Sequence, residues 1–117
     1  MKEAVPQGDG RLFVYGALLD AAHRASLLGR AICGIPARLR GYERRRRRYY
    51  YVAPDGGADT EGLVLSGLDS RDFEVLDRYE EVPRLYIRAV KEVETSSGAV
   101  LHCWIYLPTQ ELLLSSE

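Results

Sequence analysis

The segment Leu76-Asp77-Arg78-Tyr79-Glu80-Glu81 carries three carboxylates. Asp69 or Ser70 as an N-cap, with Phe73, Leu76 and Tyr79 at three- and four-residue spacing, predicts a helix running to about Tyr79. The acids then fall at its C-terminal end, where the macrodipole is negative and an ionised carboxylate is disfavoured. Two readings stand. All three can be solvated surface acids, or one is buried, its pKa is raised, and it can exchange protons near neutrality. A second candidate is Tyr15-Gly16-Ala17-Leu18, between a predicted strand and a predicted helix. Glycine permits a tight turn there, and backbone N–H groups near a helix N-terminus can face an anion. An ordinary strand–helix turn would look the same.

Other residues offer less. Five arginines, Arg44–Arg48, precede Tyr49-Tyr50-Tyr51. Basic residues beside aromatics can bind single-stranded nucleic acid. In an extended segment, however, the side chains alternate between faces, so the run reads first as a solvated strand that blunts a sheet edge. Contact with an anionic substrate, a partner or nucleic acid is the alternative. His23 and His102 have no nucleophile motif around them and read as structural or surface residues. Cys33 and Cys103 show no metal-ligand spacing and read as small core residues in a reduced compartment, so no metal is expected.

The elements that must position these groups are short. Leu12–Tyr15 reads as a strand stopped by Gly16, followed by helical character from Leu18 to Leu28, with Asp20 as N-cap and Gly29 as terminator. Ala31–Val52 reads as extended, interrupted by Pro36 and bent at Gly41-Tyr42. Pro54–Asp59 is a turn signal, and Thr60–Leu65 a strand. Tyr86–Glu94 and Ala99–Leu107 form a hairpin across Thr95–Gly98, its second strand bulky on both faces and so central. The tail from 108 to 117 can add a short helical turn. Five or six strands with two inserted helices predict an α+β fold, a small mixed sheet or barrel.

Length and composition set the outer bounds. The 117 residues suit one domain, here 11–117 behind a flexible leader at 1–10, and leave no room for a cofactor lobe. Sixteen basic against seventeen acidic residues give no global pull toward nucleic acid or anionic membranes. The polar first ten residues lack a signal-peptide core, and no apolar run approaches the roughly 20 residues of a membrane span. The expectation is a soluble cytoplasmic protein. Eight tyrosines against two phenylalanines and one tryptophan favour half-buried, pocket-lining positions.

Three segments, in order and at fitting spacing across about residues 11–108, resemble the γ-glutamylcyclotransferase-like superfamily, nearest its AIG2-like branch, which includes γ-glutamylamine cyclotransferases. Leu12–Leu19 is similar to its "VYGTL" element. Glu61-Gly62-Leu63-Val64-Leu65 is similar to its "xGxLy" strand. Leu76-Asp77-Arg78-Tyr79-Glu80 with Tyr86-Ile87-Arg88 is similar to its "LDxxE…YxR" segment. The resemblance implies a small mixed β-barrel with two flanking helices and a cofactor-free reaction on a small γ-glutamyl compound, whose α-amine attacks its own γ-carbonyl to give 5-oxoproline and a free amine. It implies that Tyr15, Gly16, Ala17 and Leu18 cradle the α-carboxylate, that Glu80 is the catalytic acid/base and that Tyr86 lines the pocket. Tyr15 or Tyr86 is expected to donate to a developing oxyanion. A non-catalytic binder of a carboxylate-bearing metabolite on the same fold is the alternative, and a nucleic-acid or protein-interaction module built on Arg44–Arg48 a more distant one. This chain departs from the family pattern in three places. Ala17 stands where Thr or Ser is usual. Tyr49–Tyr51 replace a frequent Tyr-Pro step. Glu81 replaces a frequent Gly and is expected to raise the pKa of Glu80 or to narrow the site.

Overall fold

A computed structural model describes residues 9–114. Almost all of the leader lies outside the described residues. In chain order the elements are β1 (Leu12–Val14), a 3-10 turn (Ala17–Leu19), α1 (Ala21–Leu28), β2 (Gly34–Arg46), β3 (Tyr50–Leu65), α2 (Ser70–Tyr79), β4 (Tyr86–Thr95), β5 (Val100–Pro108) and α3 (Gln110–Leu114). The strands close into a barrel in the order β1-β3-β2-β4-β5. Every pairing is antiparallel except β1 with β5, which is parallel through Leu12 and Trp104. The α+β mixed barrel read from the sequence is the observed one, with five strands and a third short helix in the tail.

Strand alternation divides the core in two. Phe13 and Tyr15 join Leu39, Val52, Val64 and Ile105 in one cluster. Leu12 and Val14 join Leu65, Phe73, Leu76 and Leu112 in the other, which seats α2 and α3 on the barrel. Successive residues of β1 thus serve opposite layers, as a period of two requires. Gly62, in the middle of the "xGxLy" strand, has a specific reason to be glycine. A Cβ there would sit 2.3 Å from the Val14 carbonyl oxygen and 2.7 Å from the Phe13 ring, so β1 could not approach β3.

Both early helices start and stop as their residues dictate. The Asp20 carboxylate accepts from the Ala22 N–H and Gly29 ends α1. Asp69 and Asp72 form a reciprocal capping box on α2.

Three local expectations need correcting. Pro36 does not interrupt β2, which runs through it paired to Leu63; the β4 ladder begins only at Ala37, so the missing N–H is tolerated at an unpaired edge. The Pro54–Asp59 signal does not end a strand. Arg40 pairs with Asp59 and Tyr42 with Pro54, so residues 55–58 bulge out opposite Gly41 within a continuous β3. The true reversal joins β2 to β3 between Arg46 and Tyr50, through Arg47-Arg48-Tyr49, closed by an Arg47 N–H to Tyr49 carbonyl bond of 3.1 Å. That turn holds no Gly, Pro, Asn or Asp and so carries no sequence signal. Cys33 is also exposed rather than in the core, whereas Cys103 is buried. No helix among the described residues is long and apolar enough to cross a membrane.

Candidate active site

A cavity of about 390 Å³ lies beside the end of β1 and the C-terminal end of α2. Tyr15, Gly16, Ala17, Leu18, Glu80 and Tyr86, remote in sequence, all line it. So do Tyr49, Tyr50, Tyr79 and Tyr106, which makes six of the eight tyrosines. Tyr51 does not: alternation along β3 turns it into the core cluster with Leu12 and Leu65.

The Tyr15–Leu18 loop is held from behind. The 3-10 turn's own bonds run from the Leu19 N–H to the Gly16 carbonyl (2.9 Å) and from the Asp20 N–H to the Ala17 carbonyl (3.3 Å). The N–H groups of Gly16, Ala17 and Leu18 stand outside those bonds. Arg24, buried in α1, donates to the carbonyls of Leu18 (3.1 Å), Leu19 (3.0 Å) and Ile32 (2.7 Å). Arg44 donates to the Tyr15 carbonyl at 3.0 Å, fixing the peptide plane that carries the Gly16 N–H. A Cβ on Gly16 would lie 3.0 Å from Cβ of Tyr50, so a side chain there would press on the cavity wall. Reading α1 for helix propensity alone missed Arg24. Its sequence carried little signal, because arginine is a common helix residue that is ordinarily exposed.

Glu80 is the C-cap of α2, its N–H bonded back to Leu76 at 2.8 Å. No described group donates a hydrogen bond to its carboxylate. Burial, and then the Asp77 charge, push its pKa up to about 7. Asp77 is held by Arg88 through two bonds of 3.0 and 3.1 Å and accepts from the Tyr106 hydroxyl at 2.7 Å. The Arg88 guanidinium lies over the rings of Phe73 and Trp104. Asp77 and Arg88, the remaining polar members of the "LDxxE…YxR" pattern, are thus one ion pair behind the acid. Glu81 does not raise the pKa of Glu80, for which the perturbing charge is Asp77; it lines the cavity and pairs with Arg84, which also reaches Glu111 at 2.9 Å.

The tyrosine hydroxyls correct a second expectation. Tyr15 donates to the Tyr106 carbonyl at 2.6 Å and Tyr86 to the Tyr50 carbonyl at 2.5 Å. Both protons are committed, so these hydroxyls offer oxygens rather than donors to a ligand. Burial raises both pKa values, and the Glu80 charge raises them further. Tyr79 pairs with His23 at 2.9 Å on the exposed side of the site. His102 pairs with Glu92. Among the described residues, no group of three or more His, Cys, Asp or Glu is arranged to hold a metal ion.

The arginine run divides as alternation predicts. Arg44 serves the Tyr15 carbonyl, Arg45 pairs with Glu43 and Arg47 donates to the Leu113 carbonyl, while Arg46 and Arg48 line the cavity.

A family model described as "Gamma-glutamyl cyclotransferase, AIG2-like" matches residues 12–116. The chain belongs to this family. It is 36% identical over 85 residues to AIG2-like protein C of Arabidopsis thaliana, an alignment covering 70% of this chain and 48% of the relative. The chain thus spans about half the length of that relative. In fold it is similar to a solved gamma-glutamyl cyclotransferase, with a TM-score of 0.75 at 18% identity over 85% of this chain and 66% of the other. An AIG2-like protein from Mus musculus matches with a TM-score of 0.69 at 18% identity, over 90% of this chain and 82% of the other. At that identity the likeness concerns the fold alone.

Proposed function

We propose that the protein is a cofactor-free γ-glutamyl cyclotransferase that converts a γ-glutamyl amine or related γ-glutamyl compound to 5-oxoproline and a free amine. The substrate's α-nitrogen attacks its γ-carbonyl carbon, closing a five-membered ring as the old carbon–nitrogen bond breaks. The α-ammonium gives up two protons in all, one before attack and one as the ring closes, and the leaving nitrogen takes up two and departs as an ammonium, so no other reactant is needed. Glu80 is the base and then the acid. The open N–H groups of Gly16, Ala17 and Leu18 hold the α-carboxylate, with Ala17 contributing backbone only. The hydroxyl oxygens of Tyr15 and Tyr86 suit an ammonium, which brings donors.

The observation that carries this reading is a half-buried carboxylate, with no hydrogen-bond donor among the described residues, in the same cavity as the open amides of the 3-10 turn. A base with a pKa near 7 is well matched to taking a proton from an ammonium and returning it. Cyclisation is intramolecular, so holding the substrate at both ends supplies much of the acceleration. The test is release of 5-oxoproline from a set of γ-glutamyl compounds by the protein and by its Glu80→Gln variant. Release that is lost in the variant is expected. Thermal stabilisation by these compounds without release would favour the metabolite-binding alternative.

A further inference from the structure

The cavity holds two cations that the reaction does not use. Arg46 and Arg48 lie on its wall, exposed, at the β2–β3 turn. Neither is paired with a carboxylate among the described residues, whereas Arg44, Arg45 and Arg47 of the same run are committed elsewhere. Aromatic faces position them: the Arg46 guanidinium is 5.0 Å from the Tyr50 ring centre, and that of Arg48 is 5.7 Å from the Tyr49 ring centre. Both rings also line the cavity, and Tyr50 abuts Gly16.

The acids nearby do not cancel them. Glu81 also lines the cavity, but its charge is paired with Arg84, which is not part of the lining. Glu80 is half-buried and only partly ionised near neutrality. Among the described lining residues, Arg46 and Arg48 are therefore the cations left without a carboxylate partner. A γ-glutamyl substrate has two halves, and its constant half is already matched by Glu80, the loop amides and the hydroxyl oxygens. The rim is left for the variable half.

Resting on the cyclotransferase reading, we propose that Arg46 and Arg48 select the leaving group, so that the preferred substrates are γ-glutamyl compounds whose leaving amine carries acidic groups. Guanidinium groups favour carboxylates through paired charge-assisted hydrogen bonds and disfavour an ammonium in the same place. The penalty for a cationic leaving amine makes the site selective as well as attractive.

The test uses four substrates with one common half: γ-glutamyl-glutamate, γ-glutamyl-glutamine, a neutral γ-glutamyl-propylamide and a cationic γ-glutamyl-aminopropylamide. At low salt, kcat/KM for 5-oxoproline release should fall in that order, with about tenfold or more between the first and third. In the Arg46→Gln/Arg48→Gln double variant that ratio should collapse toward one, and in Arg46→Lys/Arg48→Lys most of it should survive. Added salt should compress the wild-type ratio. Equal rates for the acidic and neutral substrates, or a ratio that survives in the glutamine variant, overturn the proposal and leave the cyclotransferase reading intact. If none of the four is turned over, the cyclotransferase reading fails. Equilibrium binding of the same four compounds then decides the arginine assignment: a charge-ranked affinity lost in the glutamine variant supports it, and equal or absent binding overturns it.

Discussion

The two ends of α2 carry carboxylates with opposite fates. At the N-terminal end, Asp72 accepts from both guanidinium nitrogens of Arg30 at 2.7 and 2.8 Å and from the Asp69 N–H at 3.0 Å. The Arg30 guanidinium holds its pKa down to about 2. At the C-terminal end, Glu80 is half-buried in the cavity wall, accepts no hydrogen bond from a described group, lies near a second acid, and its pKa goes up to about 7. The macrodipole reinforces the contrast, favouring a negative charge at the first end and opposing it at the second. Burial alone therefore does not mark a working acid. Asp72 is satisfied and structural; Glu80 is left for something outside the protein to satisfy.

The largest expected effect removes the unsatisfied end. Glu80→Gln should lower 5-oxoproline release by about 10²–10⁴-fold. Release by the unaltered protein should rise with pH around an apparent pKa near 7, set by Glu80. Stability should move the other way. Glu80 binds its proton more tightly in the folded state, about 7 against 4.5, so its contribution is fully present below pH 4.5 and lost as pH rises through 7. Glu80→Gln should therefore melt at a higher temperature than the unaltered protein at pH 8, with the gap closing by pH 4.5. A melting point unchanged at pH 8 would break the contrast between the two ends.

Asp72 should show the mirror image. Its contribution is present above pH 3.8 and lost as pH falls through 2. Asp72→Asn should cost about 2 kcal/mol at pH 7 by urea unfolding, and nearly nothing as pH approaches 2. Next in size is Glu81→Gly. Glu81 sits at φ +58, a left-handed conformation that costs an L-residue about 1 kcal/mol, and its exposed pairing with Arg84 offsets little of that. The variant should gain about 1 kcal/mol in the same assay, and the Glu80 pKa should not move. The smallest effect is Asp77→Asn, which removes the secondary cause of the Glu80 shift and should move the acid limb of the activity profile toward lower pH. A shift toward higher pH would show that Asp77 does not act on Glu80 through its charge.

Much of the barrel was legible because local chemistry and global fold agree. Asp20 with Gly29, and Asp69 before Phe73 and Leu76, bracket helices by capping alone. The Thr95–Gly98 turn fixes the last hairpin, and the spacing of Gly62 and Glu80 carries the family likeness. The misses lie where geometry is set by a partner strand. Residues 55–58 look like a chain reversal but bulge from a strand whose register β2 imposes, and Arg47–Tyr49 reverse the chain with no turn residue at all.

The sequence by itself determined the element order, the caps, the family and the identity of the acid as a candidate, because each rests on neighbours within a few residues or on a pattern of types. Only the tertiary structure decided which of three adjacent carboxylates is unsatisfied. Asp77, Glu80 and Glu81 are indistinguishable by composition, yet Arg88, a cavity and Arg84 respectively claim them. Desolvation and pairing depend on what chain closure brings from elsewhere, and for these acids that is what separates a structural or surface charge from the proposed proton carrier.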